Sequence, residues 1–296
     1  MNAERFDSRF SMWYNYRKAS LLYNGGIAVK IVTLIENTQG AQCPCFEHGL
    51  SFYIETEKHK LLADTGQTAG FMSNADALGI NLKAVDTVVL SHGHYDHSGG
   101  IMPFAAVNLS ARIYMQRTAS GHFYHDERYI GIDREILSLP QVRLLDGDYV
   151  IDDELSIFSG ITGRRYWAKS NLVLSRHEGG DVLQDDFCHE QCLVITEGKQ
   201  RVLVSGCAHN GILNVLDRYK DIYGSLPDVA ISGFHMMKKT EYTDEELDII
   251  RETAHELSKT DTLFYTGHCT GESAFLIMKE IMGEQLQKLY SGMRIL

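Results

Sequence analysis

The sequence predicts an α/β (α+β) fold made of two αβ layers set back to back, on three observations. Apolar, β-branched runs of strand length recur from residue 28 onward. Strand–loop–helix order appears in both halves of the chain. The 296 residues, 44% of them apolar, are enough for a substantial core in one large domain or two smaller ones.

The elements follow in order. Residues 1–27 mix aromatics (Phe6, Phe10, Trp13, Tyr14, Tyr16) with both charge signs and show no clean period. They are expected to form an N-terminal extension, packing on the domain or forming a homodimer contact, with the folded domain spanning residues 28–296. Residues 28–35 read as a first strand, and 50–55 with 60–64 as a hairpin closed by the turn Asp64-Thr65-Gly66. A helix is expected over 68–78, ending at Gly79, and a short buried strand over 85–90 that runs straight into Ser91-His92. Short strands follow at 112–115, 142–145 and 155–158, with an unreadable polar stretch from 118 to 138. The second half gives a hairpin over 192–196 and 201–205, a helix over 210–223 and a strand over 228–232. An amphipathic helix over 244–258 and a last strand over 262–265 complete the reading.

A formal charge of -11 has the wrong sign for a phosphate backbone, which argues against nucleic acid as a partner. No apolar run approaches the roughly 18 residues of a membrane span, and no secretion signal is readable, so a cytoplasmic location is expected. The cysteines (Cys43, Cys45, Cys188, Cys192, Cys207, Cys269) are scattered without zinc-knuckle spacing and read as buried thiols.

Four potential ligands, His92, His94, Asp96 and His97, lie within six residues directly after an apolar strand. His92 and His94 can share one face of an extended loop end, whereas Asp96 and His97 start a new direction at the loop-to-helix corner. Two adjacent metal sites are the economical interpretation. Asp96 has a second role open to it, orienting or deprotonating a water. His235 ends a strand beside Gly233 and reads as a ligand, a phosphate donor or an exposed residue without a role. His48, His59, His122, His125, His177 and His255 lack such context and read as surface or satisfied polar residues.

The run Leu90-Ser91-His92-Gly93-His94-Tyr95-Asp96-His97-Ser98-Gly99-Gly100 resembles the HxHxDH signature of the metallo-β-lactamase superfamily. The resemblance continues at Asp64-Thr65-Gly66, Ser205-Gly206-Cys207-Ala208-His209, Ser232-Gly233-Phe234-His235 and Gly267-His268-Cys269-Thr270-Gly271, with Glu47-His48-Gly49-Leu50-Ser51 upstream. These segments look like the branch that contains the 7,8-dihydropterin-6-yl-methyl-4-(β-D-ribofuranosyl)aminobenzene 5′-phosphate synthases, and the similarity spans about residues 28–275. It implies a four-layer αββα sandwich. It also implies that His92 and His94 hold a first metal with a later histidine, that Asp96, His97 and His268 hold a second, and that Asp64 orients ligands without touching metal.

The usual superfamily pattern places a histidine before the second-half hairpin and a metal-bridging aspartate after it. Here Cys188-His189-Glu190 stands before and Cys207-Ala208-His209 after, with no aspartate. Either His209 supplies the third ligand of the first site, which is preferred, or His189 does so and His209 or Cys207 sits near the bridging position. One tight and one weaker site would follow from the missing anion.

A metal pair lowers the pKa of water toward neutrality and polarises a carbonyl or phosphoryl oxygen under attack. The expectation is therefore a metallohydrolase of a small ester, amide or phosphoester, the branch favouring a phosphorylated or pterin-like molecule, with one or two Zn2+ per chain and Mn2+ or Fe2+ as alternatives. A pterin-related synthase or transferase, and a non-catalytic metal or ligand sensor, are the competing classes. Arg164, Arg165 and Lys169 read either as a phosphate-receiving patch or as a solvated basic patch.

Overall fold

A computed structural model describes residues 29–296. The extension over 1–27, with any dimer contact it would make, lies outside the described residues.

The apolar runs form strands because period-2 alternation buries both of their faces. In β2 (Ser51–Glu55) and β3 (Lys60–Ala63), Phe52, Ile54 and Leu61 face one apolar cluster while Tyr53 and Leu62 face another. The second-half hairpin, β13 (Cys192–Glu197) and β14 (Gln200–Val204), behaves alike: Leu193, Ile195, Val202 and Val204 turn inward, and Cys192, Val194 and Leu203 outward. The shared inner cluster joins two sheets face to face.

The first sheet has the order β1-β2-β3-β4-β5-β8, with β1 at Lys30–Ile35, β4 at Thr87–Val89, β5 at Arg112–Gln116 and β8 at Val142–Leu145. The second runs β17-β16-β15-β14-β13-β10-β9, adding β9 (Tyr149–Val150), β10 (Leu155–Phe158), β15 (Val229–Ile231), β16 (Leu263–Thr266) and β17 (Leu286–Lys288). Helices α1 (Gly70–Ala77) and α3 (Ile101–Val107) cover the outer face of the first sheet through Phe71, Ala75, Ile101 and Phe104. Across the second sheet lie α4 (Ile212–Tyr223), α5 (Asp244–Ser258) and α6 (Glu272–Met282), seated by Leu216, Tyr219, Ile250, Leu257 and Met278. The result is the expected four-layer αββα sandwich.

What positions the site is strand direction. Strands β3, β4, β5 and β8 are mutually parallel, and so are β14, β15, β16 and β17. Their carboxyl ends gather the loops that begin at Asp64, Ser91, Ser205, Ser232 and Gly267 on one rim, where open α/β sheets bind ligands.

The stretch from 118 to 138 contains β6 (His122–His125) and β7 (Arg128–Tyr129), which join β11 (Leu174–Glu178) and β12 (Asp181–Gln184) in a separate four-stranded sheet. Every residue of β7 and β12 is exposed, so no apolar alternation marked them. Helix α6 and strand β17 lie past the last element that the sequence predicted.

Candidate metal centre

After β4 the chain bends at His92 and Gly93, His94 is extended, and α2 (Tyr95–Ser98) turns Asp96 and His97 back toward the same centre. His92, His94, Asp96 and His97 are all buried. The facing loops close the centre with unusual backbone: Asp64, Ala208, His235 and His268 all have φ between 48° and 58°. Left-handed non-glycine residues cost free energy and cluster where function demands the geometry. Close approach matters too, since a Cβ at Gly206 would lie 2.1 Å from Ser91 Oγ and 2.9 Å from His92 Nδ1.

Asp64 organises one side. Its Oδ1 accepts from the Ser91 backbone N–H at 2.7 Å, and its Oδ2 accepts from Ser91 Oγ and His97 Nδ1, each also at 2.7 Å. Because Ser91 Oγ donates to Asp64, it accepts from His92 Nδ1–H at 2.8 Å. His209 Nδ1–H donates to Asn171 Oδ1 at 3.0 Å, and His268 Nδ1–H to Asn37 Oδ1 at 2.9 Å. Oxygens of carboxylate and amide can only accept, so all four rings carry a proton on Nδ1 and turn Nε2 to the centre.

These nitrogens converge. His92 Nε2 lies 3.3 Å from His209 Nε2. Asp96 Oδ2 lies 3.3 Å from His268 Nε2, 3.4 Å from His48 Nε2 and 3.8 Å from His97 Nε2. Cys207 Sγ stands 3.2 Å from His97 Nε2. His94 Nε2 and His268 Nε2 are buried without a hydrogen-bond partner. Unpartnered buried ring nitrogens are costly in a protein alone and suit a cation, so this donor set fits bound metal.

The electrostatics agree. Burial and neighbouring imidazoles push His92 and His209 well below the ordinary histidine range, and burial takes His94 down to about 3, so these rings are neutral, as ligands must be. Burial opposes the charged form of Asp96, but His97, His268 and His48 outweigh it and hold the carboxylate far below its usual range. His97 differs: burial opposes its imidazolium, yet Asp64 and Asp96 raise it to about 9, so without metal this ring also holds a proton on Nε2, which an incoming cation must displace.

His189 takes a different position. Its Nδ1 accepts from the Gly93 N–H at 3.0 Å and its Nε2 bonds Asp185 Oδ2 at 3.1 Å, and with His94 and Asp185 it forms a further buried group whose ligand atoms lie within 4.8 Å of one another. The ring of His235 packs 4.0 Å from that of His209, its buried Nδ1 unpartnered. Arg164 bonds Asn210 and backbone carbonyls, Arg165 pairs with Asp217 and Glu256, and Lys169 with Glu245, so internal partners occupy the basic patch.

Sequence reasoning missed His48, which it took for a surface or satisfied residue; the only signal was its place in the Glu47-His48-Gly49 segment. It also missed the holders Asn37 and Asn171, and Glu190, whose carboxylate accepts from the His209 and Asn210 backbone N–H groups at 2.6 and 3.1 Å. No spacing marks these, because they reach the centre from separate loops.

Among known families, the metallo-β-lactamase superfamily model matches residues 46–165. A 7,8-dihydropterin-6-methyl-4-(β-D-ribofuranosyl)-aminobenzene-5′-phosphate synthase from Methanocaldococcus jannaschii is 31% identical over 293 residues, covering 89% of this chain and 95% of its own. The uncharacterized protein MJ0448 of the same organism is 28% identical over 241 residues, covering 79% and 88% respectively. The crystal structure of Tm1679, a metal-dependent hydrolase of the β-lactamase superfamily, superposes with a TM-score of 0.74 at 26% identity, over 90% of this chain and 98% of that one. With the αββα sandwich, the histidine-rich rim and a relative this similar over nearly the whole chain, the protein belongs to the metallo-β-lactamase superfamily.

Proposed function

We propose that the chain is a metal-dependent hydrolase acting on a small ester, amide or phosphoester. One observation carries the reading: His92 and His209 aim bare Nε2 atoms at each other across 3.3 Å, an arrangement that a shared cation turns from repulsive to favourable. In this reading His92, His94 and His209 hold a first ion, and Asp96, His97 and His268 a second, with Zn2+ the best match to the imidazole-rich donor set and Mn2+ or Fe2+ as alternatives. Bound metal would supply a water acidified toward neutrality and a polarised substrate oxygen.

The chain's own residues do the rest. Asp64 locks His97 and, through Ser91, His92 in the metal-ready tautomer. Asp96 Oδ2, where His48, His97 and His268 meet, would orient a water held there, and its depressed pKa makes it a better hydrogen-bond acceptor for that water than a base. A cavity of about 690 Å³, lined by none of the residues assigned to metal, is walled in part by Met236, Met237, Leu172 and Val173 and by Lys238 and Lys239. Its volume and largely apolar lining suit a small-molecule substrate. Ser170, another wall residue, donates its hydroxyl to the His235 carbonyl and so ties this wall to the metal rim. Among the described residues no helix is long and apolar enough to cross a membrane.

A second reading, a pterin-related synthase or transferase, is favoured by the activity named for the 31%-identical relative. Elemental analysis of the purified protein beside His94→Ala and His209→Ala, then ester, amide and phosphodiester turnover by the metal-replete form, tests the proposal. Metal lost in both variants and metal-dependent hydrolysis support it. Metal with no hydrolysis moves the synthase reading ahead, and a native protein that takes up no metal overturns both.

A further inference from the structure

The superfamily's bridging aspartate is missing from its usual place, and among the described residues no carboxylate is grouped with ligand atoms of both halves of the centre: Asp96 Oδ2 gathers with His48, His97 and His268. Cys207 stands where both halves of the centre meet. Its Sγ lies within 4.8 Å of a ring nitrogen of His92 and of His209, and equally within 4.8 Å of one of His97 and one of His268. It is 3.2 Å from His97 Nε2, and the residue is 2% exposed.

Independent features point the same way. His268 Nε2, in the second of those groups, is buried without a hydrogen-bond partner, as is His94 Nε2 on the other side. The turn that aims Cys207 inward is built for the purpose: Ala208 adopts φ 48°, and the Gly233 N–H donates to Gly206 O at 2.7 Å, pulling two strand ends together behind the thiol.

We propose that the Cys207 thiolate bridges the two metal ions, supplying the anion that a carboxylate supplies elsewhere in the superfamily; this rests on the metal-pair reading above. A thiolate sulfur has lone pairs enough for two cations, and as a soft donor it biases the centre toward zinc, cobalt and cadmium over magnesium and manganese. The thiol gives up its proton to solvent when metal enters, as coordinating thiols do.

The test is cobalt(II) titration of the full-length apoprotein and of its Cys207→Ser, Cys207→Asp and Cys269→Ser variants, reading the near-ultraviolet sulfur-to-cobalt charge-transfer band and bound cobalt. The expected band appears in the wild type, grows through the second equivalent and persists in Cys269→Ser. It vanishes in Cys207→Ser and Cys207→Asp, and bound cobalt falls from about two to about one per chain in the serine variant but not in the aspartate variant. Should the position-207 variants fail to fold, wild type and Cys269→Ser still decide the matter. Two bound cobalt ions without the band overturn the bridge and leave the metal pair standing. A band that stops growing after one equivalent assigns the thiolate to a single ion and also overturns the bridge, whereas no bound cobalt overturns the metal pair itself.

Discussion

His92 Nε2 and His209 Nε2 face each other at 3.3 Å although each ring has already committed its Nδ1 proton elsewhere. For His209 the commitment is to Asn171 Oδ1, and the Asn171 amide also donates to the His209 carbonyl at 2.9 Å. Removing that amide frees the ring to take the wrong tautomer and to turn. Asn171→Ala is expected to weaken metal binding on the order of 10–100-fold, the usual loss for a residue that orients a metal-binding histidine. Competition against a chromophoric chelator measures it, and Asn171→Asp, which keeps an acceptor, should recover most of the affinity.

Gly206 has no room for a side chain. Its Cβ would fall 2.1 Å from Ser91 Oγ, the atom that relays Asp64 to His92, and Ser91 can move aside only by giving up those two hydrogen bonds. Gly206→Ala should therefore cost about 1–3 kcal/mol in urea unfolding, as overpacking does, and should lower metal affinity as well. An alanine variant with unchanged affinity would show that Ser91 does not set the His92 tautomer.

Sheets and helices with a buried face were readable because burial imposes a period, and the runs of β2, β3, β13 and β14 carry it. Strands β7 and β12 bury nothing and left no trace. The same contrast holds at the centre. His92, His94, Asp96 and His97 are adjacent in sequence and could be recognised, whereas His48, Asn37, Asn171 and Glu190 act from separate segments whose meeting depends on the tertiary fold. The ambiguity between His189 and His209 is equally physical. Both flank the same hairpin, and only hydrogen bonding separates a ring held by Gly93 and Asp185 from one aimed at His92.

Helix α5 begins at a reciprocal cap. Thr243 Oγ1 accepts from the Glu246 N–H at 3.3 Å while the Glu246 carboxylate accepts from the Thr243 N–H at 2.7 Å. Substituting the threonine orphans a backbone donor in the first turn, so Thr243→Ala is expected to lower stability by about 1 kcal/mol. The urea midpoint should fall without a change in metal content, since the cap lies outside the centre.

At the end of the sandwich opposite the metal rim, His59 joins the two sheets. It sits in the β2–β3 turn, bonding Asp86 Oδ1 at 2.8 Å and Asp152 Oδ2 at 2.6 Å, the latter in the loop between β9 and β10. Burial works against its charge, but the hydrogen bonds to Asp152 and Asp86 outweigh this and raise its pKa above the ordinary histidine value. Asp152 shifts the other way: burial opposes its ionisation, and His59 with the Glu154 and Leu155 backbone N–H groups prevails and lowers it. A raised histidine pKa means the folded state holds the proton more tightly. Its contribution is fully present below the unfolded pKa of about 6.5 and is lost as pH rises through the folded value. The depressed aspartate contributes above its unfolded value of about 3.9 and fades as pH falls through the folded one, so the clamp is strongest between those limits. The stability difference between wild type and His59→Ala should therefore be larger near pH 5.5–6 than at about pH 9, by urea unfolding at both. A difference that stays constant across that range would mean that the ring holds the sheets by packing and not by charge.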